Sequence, residues 1–407
     1  MNSRRLCTPF FFKGVETMGS VLYLQSGGPT TVINSSLNGV IRRARDLGLK
    51  VYGALHGIDG LIRDRVVELT DLPYNRLVLL RQTPGMALGS TRHKIDENFE
   101  HWKKIEDTLI KYDVDYLIIN GGNDSMNTGM RLHEHFKDWG LKVVGVPKTI
   151  DNDLMGTDFC PGYPSACRAV MNTFACFALD ALAYPRGKVN IVEIQGRNAG
   201  WLTASIGLLK APCTPDILLL PESEFDEEKF LAKVKEIYDR RGCVLVAISE
   251  GLNLPALGLG EVDSFGHKAQ EGVAFHLGAI VKERLGVPVR AQVFGTLCRA
   301  IPYTISKVDS DQAQWLGEAA VDQAYSGVSG VMLGLRRSEE KKLHFTLDMH
   351  PFCECADKER MFPLDWIGED GLPNRKFANY LLPLLKGDMP LKLDAMGVFQ
   401  YCTYTDK

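Results

Sequence analysis

The sequence contains no long hydrophobic run, no excess of one charge and no dense cluster of cysteine or histidine residues. None of its apolar stretches approaches the roughly 20 residues that a membrane-spanning helix needs. The 50 acidic and 47 basic residues leave a formal net charge of −3 over 407 residues, which argues against a surface built for nucleic acid or for an anionic membrane. Any anionic ligand must therefore be held by a local group of cations.

The ten cysteines are scattered along the chain, and only Cys353 and Cys355 are close together. No pair of cysteine or histidine residues completes a zinc-binding pattern. We interpret most of the cysteines as small buried side chains in a reducing compartment and predict a cytoplasmic protein.

The length of the chain is sufficient for two or three domains with sizeable cores. The first residues are basic and include an apolar patch at 9–12, but they lack the hydrophobic length of a secretory signal. We predict that residues 1–18 form an N-terminal extension, because the first strand pattern begins directly after this segment.

Short apolar strands alternate with segments of helical periodicity through most of the chain. The strand at 116–120 is continuously apolar, which is typical of a sheet covered on both faces. The predicted strands are 21–24, 51–55, 116–120, 142–146, 189–194, 217–220, 243–248 and 289–294, and the predicted helices are 33–44, 99–112, one beginning at 125, 163–182, 226–240, 269–285 and 311–326. This alternation predicts an α/β fold of two doubly wound, Rossmann-like domains with largely parallel sheets and an active site in the cleft between them.

The loop at 145–153 follows one of these strands and carries Lys148, Thr149, Asp151 and Asp153 within six positions. Taken alone, this loop is more easily explained as a solvated turn. Other strand ends, however, are followed by loops that are similarly rich in charged and polar residues. Ligands of doubly wound folds bind beyond the carboxyl ends of the strands, so we expect these loops to meet in one site. The other loops contain Gly27, Gly28, Arg92, residues 121–125, residues 195–197, Glu250 and Arg299. Such a mixture of cationic, glycine-rich and acidic loops suits a phosphate, Mg²⁺ and a general base.

In combination, these motifs resemble those of the phosphofructokinase family. Residues 145–153 resemble the family's Pro-x-Thr-Ile-Asp-Asn-Asp loop, and residues 121–125 resemble its Gly-Gly-Asp-x-Ser loop. Residues 195–197 are similar to its Met-Gly-Arg sequence, and residues 249–251 match its fructose-binding turn. The resemblance extends in order from about residue 21 to about residue 330. The complete set of spaced motifs is specific, although each member alone is not.

The resemblance implies an enzyme of glycolysis that transfers a phosphoryl group to O1 of fructose 6-phosphate, with Mg²⁺ as cofactor. Asp151 would be the base that accepts the proton of the 1-hydroxyl group. Asp153 and Asn123 would lie near the metal ion. Asn123 stands where the family usually has a Mg²⁺-binding aspartate, and an amide oxygen can bind the ion but brings no charge.

The resemblance also implies which residues bind the two substrates. The donor phosphates would be bound by Gly27, Gly28, Arg92, Gly122 and Ser125. The sugar phosphate would be bound by Thr149, Asp151, Lys188, Gln195, Gly196, Arg197, Glu250, Arg290, Thr296 and Arg299. Lys188 and Arg290 match positions that reach into the sugar site of a neighbouring subunit, so the resemblance implies a homodimer or a larger homo-oligomer.

Asp124 and Lys148 indicate which phosphoryl donor is used. The ATP-dependent branch of the family has glycine at both positions, whereas the pyrophosphate-dependent branch tends to have aspartate and lysine. A carboxylate at Asp124 occupies the space of a nucleotide α-phosphate and repels its charge, and Lys148 places a cation beside the transferred group. The chain therefore resembles the pyrophosphate branch, with a readily reversible reaction and with Asp124, Lys148 and Asp151 as catalytic residues.

Two alternatives remain open at this point. One is an ATP-dependent 6-phosphofructokinase or related sugar-phosphate kinase, against which the pair Asp124 and Lys148 argues. The other is a non-catalytic subunit that binds sugar phosphate, which would have no need of a base at Asp151.

The motifs also divide the chain between two expected domains. We expect residues 19–162 and about 299–348 to form the phosphoryl-donor domain. Residues 163–298 and about 349–407 would form the sugar-phosphate domain.

Overall fold

The computed structural model describes residues 19–95, 98–254, 272–338 and 343–405, and the predicted extension at 1–18 lies outside them. The strands are β1 (Ser20–Gln25), β2 (Lys50–Ala54), β3 (Val66–Glu68), β4 (Val114–Gly121), β5 (Lys142–Pro147), β6 (Val189–Ile194), β7 (Ile217–Leu219), β8 (Val244–Ser249), β9 (Val289–Val293), β10 (Val331–Arg337) and β11 (Phe345–Pro351). The α-helices are α1 (Ile33–Asp46), α2 (Ile58–Ile62), α3 (Tyr74–Gln82), α4 (Phe99–Lys111), α5 (Asn123–Phe136), α6 (Tyr163–Leu182), α7 (Trp201–Ile206), α8 (Glu227–Arg241), α9 (Val273–Leu285), α10 (Lys307–Tyr325), α11 (Phe352–Cys355) and α12 (Arg375–Leu381).

The larger sheet has seven strands in the order β11-β10-β5-β4-β1-β2-β3. Its central strands are parallel, and only the edge strands β3 and β11 pair in the antiparallel sense. Alternate residues of β1 enter different cores: Val21 and Tyr23 pack in one, and Leu22 and Leu24 in the other. Because both faces are covered, these strands are apolar at nearly every position, as a parallel sheet requires.

The smaller sheet has four parallel strands in the order β7-β8-β6-β9. One hydrophobic core contains residues from both sheets, for example Val144 of β5 and Val192 of β6, together with much of α6. The two sheets are therefore held against a shared apolar layer, and this packing sets where their strand ends lie relative to each other.

The predicted α/β class with largely parallel sheets is confirmed. The predicted α6 and β6 have the observed bounds, and α5 begins at Asn123 rather than Ser125. Strands β3, β10 and β11 were not predicted. In β3 and β11 most residues are half-buried or exposed, so these strands lack the continuous apolar run that marked the others. The predicted domain boundaries stay a prediction.

Asp309 is a fully buried carboxylate in the first turn of α10, and it was not singled out from the sequence. It accepts hydrogen bonds from the backbone N–H groups of Gly162 (2.9 Å) and Ser165 (3.1 Å) and from the Ser165 hydroxyl (2.6 Å). These groups form the N-terminus of α6, where unpaired N–H groups and the helix dipole favour an anion. Asp309 thus joins α10, which packs on the larger sheet, to α6, which leads to the smaller sheet.

Replacing Asp309 with alanine is expected to lower the free energy of unfolding by about 2–4 kcal/mol, because the buried donors at the start of α6 lose their acceptor. Urea denaturation of the purified protein measures this change. Asp311→Ala, two residues along the same helix, is the matched control, since Asp311 is more than one-third exposed and makes only surface ion pairs. Equal destabilisation by the two variants would contradict the capping role.

Candidate active site

The loops with the most polar residues follow β1, β4 and β5, which are neighbours in the larger sheet. Parallel neighbours end at the same edge, so the chain leaves all three strands into one region. The loop after β1 carries Gly27 and Gly28, the loop after β4 leads directly into α5, and β5 runs into Lys148. The predicted meeting of these loops is thus a consequence of strand order.

Lys148 links the three loops and is almost completely buried, with 2% of its surface exposed. Its Nζ donates a hydrogen bond to the carbonyl oxygen of Gly28 at 2.7 Å, and its backbone N–H donates to Gly121 at 3.0 Å. A side chain at Gly27 would place its Cβ 3.1 Å from Nζ, and the φ of +79° there also favours glycine. The glycine loop is therefore shaped around the ammonium group.

Burial lowers the pKa of Lys148 from 10.5 to about 7. The positive charge of Arg299 acts in the same direction, while the carboxylates of Asp151 and Asp153 oppose it. A lysine in this state favours the arrival of a negatively charged ligand, because the ligand would stabilise the ammonium form.

Asp151 lies in the turn after Lys148. Its backbone N–H donates to the Thr149 hydroxyl at 3.1 Å, and this hydroxyl in turn donates to the Asp151 carboxylate at 3.4 Å. Burial raises the pKa of Asp151, and the nearby cations Arg299 and Lys148 oppose the rise. Asp151 is therefore a half-buried carboxylate whose charge interacts with two nearby cations.

Asp153 carries a third ionisable group in the same loop. Burial is the main cause that raises its pKa to about 7, and repulsion from Asp151 and Glu359 adds to it. Glu359 belongs to the C-terminal segment and pairs with Leu154 in an isolated antiparallel bridge. Sequence reasoning missed Glu359, because no motif marks the chain beyond about residue 340.

Loops from the smaller sheet complete the site. Glu250 follows β8 and accepts a hydrogen bond from the Gly196 N–H at 3.3 Å. Burial, with repulsion from Asp151 next, raises the pKa of Glu250 to about 7. The charge of Asp151 acts on Glu250. The structure therefore brings Glu250, predicted to bind the sugar, near Asp151, the predicted base.

Arg299 connects the two halves of the site. Its Nε donates to the side-chain oxygen of Gln195 at 2.9 Å, and a Cβ at Gly28 would lie 3.7 Å from its guanidinium. Gln195 therefore orients Arg299 in this structure. Arg197 is half-buried, and its charge opposes the rise in the pKa values of Asp151 and Glu250. Thr296 is exposed.

The donor side includes the start of α5. The Ser125 hydroxyl packs closely on the backbone of Gly121, and a Cβ at Gly121 would lie only 2.0 Å from the Ser125 Oγ. The Ser125 N–H donates to the carbonyl oxygen of Gly122 at 3.0 Å. Asp124 is partly exposed and pairs with Lys94 at 3.3 Å. The predicted donor ligand Arg92 is exposed and lies two residues before this lysine.

Asn123 has a structural explanation that the sequence did not suggest. With its side-chain nitrogen facing the carbonyl oxygens of Cys355 and Lys358, it donates to them at 3.1 and 3.0 Å. A carboxylate at this position would set its oxygens against these two acceptors. The amide thus suits the contact with the C-terminal segment, and its role at a metal ion stays a prediction.

Lys188 and Arg290 are the two predicted residues that the structure does not bring together with the rest. Lys188 precedes β6, and Arg290 is the second residue of β9, so both lie at the amino ends of the parallel strands. Arg290 pairs with Asp180 of α6. Residues at this edge face away from the site formed by the carboxyl ends.

The described part of the chain contains no group of three or more histidine, cysteine, aspartate or glutamate side chains arranged to hold a metal ion. Among its helices, none is both long and apolar enough to cross a membrane. The nine cysteines that the structure describes are all free thiols.

Comparison with known proteins identifies relatives along nearly the whole chain. A protein of Xanthomonas campestris pv. campestris (strain B100) named pyrophosphate--fructose 6-phosphate 1-phosphotransferase is 38% identical over 400 residues, which cover 95% of this chain and 96% of that protein. An ATP-dependent 6-phosphofructokinase of Actinobacillus pleuropneumoniae serotype 5b (strain L20) is 30% identical over 344 residues, which cover 84% of this chain and 96% of that protein.

The crystal structure of a pyrophosphate-dependent phosphofructokinase from Nitrosospira multiformis is similar, with a TM-score of 0.83 and 31% identity over 96% of this chain and 99% of that one. A phosphofructokinase family model matches residues 20–324. This span includes Lys148, Asp151, Glu250 and Arg299 but not Glu359. The chain belongs to the phosphofructokinase family.

Proposed function

We propose that this protein transfers a phosphoryl group from pyrophosphate to O1 of fructose 6-phosphate, forming fructose 1,6-bisphosphate and phosphate in a reversible reaction. The observation that carries this proposal is the buried ammonium of Lys148 beside the glycine loop. The names of the pyrophosphate-dependent relatives, which cover nearly the whole chain, support it.

The position of Lys148 favours a compact, highly charged donor. A buried cation between Gly28 and the Asp151 loop is a preorganised charge that can stabilise the transferred phosphoryl group. Asp124 adds a carboxylate at the start of α5, paired with Lys94 at 3.3 Å, where it would repel the α-phosphate of a nucleotide. Lys148 would thus attract pyrophosphate, and Asp124 would disfavour ATP.

Asp151 is the proposed base for the 1-hydroxyl group of the sugar. Its carboxylate is half-buried and its turn is fixed by Thr149, so the group is held in place for proton transfer. Gly196, Arg197 and Glu250 would contact the sugar phosphate, with Arg299 between the donor and acceptor halves. Arginine suits this position because its fork matches phosphate oxygens.

The site is compatible with Mg²⁺, which would neutralise charge on the phosphate oxygens during transfer. Asp153 has the environment that a cation would relieve, since its pKa is raised by burial and by repulsion from Asp151 and Glu359. Mg²⁺ in phosphoryl-transfer sites is commonly held by one or two carboxylates, water and the substrate phosphates. Asp153 would hold the ion, with Asn123 as a second candidate.

A homodimer or larger homo-oligomer would give Lys188 and Arg290 a function. Both lie near the amino ends of their strands, whereas Glu250 follows the carboxyl end of β8. In an oligomer they would bind a sugar phosphate of a neighbouring subunit. Val293 at the end of β9 is exposed, and Leu297 beyond it is 69% exposed. These apolar side chains suit a surface that a neighbouring subunit covers.

We also propose a cytoplasmic location, because free thiols are typical of a reducing compartment.

Neither alternative has an observation of its own in its favour. An ATP-dependent kinase would not require the buried ammonium of Lys148, although an ATP-dependent relative shares about 30% identity. A non-catalytic subunit would not require Asp151 and Asp153 together in the loop that follows the buried Lys148.

The direct test is formation of fructose 1,6-bisphosphate from fructose 6-phosphate and Mg²⁺, with pyrophosphate and ATP assayed in parallel. Turnover with pyrophosphate is expected, and Asp151→Asn should abolish it while the protein stays folded. Turnover with ATP alone would refute the donor assignment. A fully active Asp151→Asn would refute the base.

Lys148→Met is expected to raise the activation barrier with pyrophosphate by about 2–4 kcal/mol and also to stabilise the fold. The unfolded chain binds the lysine proton up to pH 10.5, whereas the folded chain loses it near 7, so burying the ammonium opposes folding at neutral pH. The gain in unfolding free energy should be on the order of 1–4 kcal/mol at pH 7 and should shrink as the pH rises toward 10.5.

Thermal and urea denaturation at several pH values measure this gain. Lys142→Met, at the start of the strand that precedes Lys148, is the matched control and should leave both activity and stability near those of the wild type. A destabilised Lys148→Met protein would contradict the view that burial of the charge opposes folding.

The rate constant kcat/KM for pyrophosphate is expected to fall as the pH rises above about 7, because the free enzyme then loses the Lys148 proton. The ionisation of pyrophosphate itself also affects this profile. The profile of the slower Lys148→Met variant in the same buffers corrects for that effect, and it should lack the decline that belongs to Lys148. Identical profiles for the two proteins would rule out Lys148 as the titrating group.

A further inference from the structure

Arg360 lies beyond the span that the family model matches, yet its side chain is directed at the loop that carries the catalytic carboxylates. Its guanidinium packs over the ring of Trp201, 4.8 Å from the ring centre. Its Nε and Nη2 both donate to the carbonyl oxygen of Asn152, at 3.1 and 2.8 Å. Its Nη1 donates to the carbonyl oxygens of Thr157 and Asp158, at 2.8 and 2.7 Å. Four hydrogen bonds from one side chain therefore converge on three backbone carbonyls of a single loop.

The residue that receives two of these bonds has an unusual backbone. Asn152 lies between Asp151 and Asp153 and has a φ of +57°, a left-handed conformation that asparagine adopts more readily than most other non-glycine residues. Its side-chain oxygen accepts from the Cys160 N–H at 2.9 Å, and its side-chain nitrogen donates to the Tyr380 hydroxyl at 2.9 Å. Backbone strain of this kind persists only where the surroundings hold it.

The backbone of Arg360 is itself tied to the site. Its N–H donates to the carbonyl oxygen of Asp153 at 2.7 Å, and its carbonyl oxygen accepts from the Trp201 indole at 2.9 Å. Arg360 therefore contacts the turn at Asn152 through its side chain and at Asp153 through its backbone. The directions in which Asp151 and Asp153 leave the backbone depend on this turn.

We propose that Arg360 is a positioning residue for phosphoryl transfer, which holds the left-handed turn at Asn152 so that Asp151 and Asp153 face the substrates. The inference rests on the proposed function above. A lysine could not replace it, because one ammonium group does not match three carbonyl oxygens as the planar guanidinium fork does. The segment after the matched family span is thus part of the catalytic apparatus of this chain.

Kinetics of Arg360→Ala and Arg360→Lys test the proposal. Each is expected to lower kcat by about 100-fold, the size of effect that a small misplacement of reacting groups produces, while the KM values for both substrates stay near those of the wild type. Added guanidinium ion should restore part of kcat in Arg360→Ala, which has space for it, and none in Arg360→Lys. A residue needed only for overall stability would show neither this split between kcat and KM nor the rescue.

Arg168→Ala is the matched control. Arg168 also donates to backbone carbonyls, those of Ile305 (3.2 Å) and Gly387 (2.7 Å), and these partners lie outside the 151–158 loop. Its loss should lower stability without lowering kcat, and guanidinium should not change its rate. Equal loss of kcat in the Arg168 and Arg360 variants would overturn the inference, as would wild-type kcat in both Arg360 variants.

Hydrogen exchange separates this inference from the proposed function. Amides at 149–158 should exchange faster in Arg360→Lys than in the wild type, and Arg168→Ala should leave them unchanged, whatever donor the enzyme uses. If the wild type showed no turnover with pyrophosphate, only the proposed function would be overturned. Unchanged exchange at 149–158 in the Arg360 variants would overturn the positioning role alone.

Discussion

The structure of the site depends on one unfavourable arrangement, the burial of the Lys148 ammonium group. Among the described residues, no carboxylate lies within hydrogen-bond distance of it. Its only described side-chain hydrogen bond is to a backbone carbonyl, that of Gly28. Burial lowers its pKa to about 7, and the nearby acids Asp151 and Asp153 have raised pKa values for the same reason. A phosphate ligand would supply negative charge that stabilises the ammonium form of the buried Lys148.

The rest of the fold can be understood as the support for this arrangement. The order of strands in the larger sheet brings the glycine loop, the start of α5 and the Lys148 loop to one edge. A hydrophobic core shared by both sheets places the ends of β6 and β8 opposite that edge, and Asp309 joins the layers through the start of α6. Rigid packing matters here because catalysis by fixed charges requires that those charges do not move when the substrate binds.

The motifs predicted most of the candidate site residues, because each lies in a loop after an apolar strand whose carboxyl end could be recognised, and their roles stay predictions. Lys148, Thr149, Asp151, Gln195, Glu250 and Arg299 could be named in this way. The same reasoning could not find Glu359 or Arg360, since they follow no strand of that kind and act on the loop from about 200 residues away in sequence. It also could not explain Asn123, whose amide is suited to the carbonyls of Cys355 and Lys358 rather than to any neighbour in sequence.

The sequence by itself determined the α/β class and the chemistry of the loops, because apolar periodicity and residue type are local properties. It also distinguished Asp124 and Lys148 as charges that suit one donor over another. Only the tertiary structure decided that Lys188 and Arg290 lie away from the rest of the site, and that the C-terminal segment closes on the Asp151 turn. Those relations depend on strand order and on contacts between distant segments, and no local pattern in the chain encodes them.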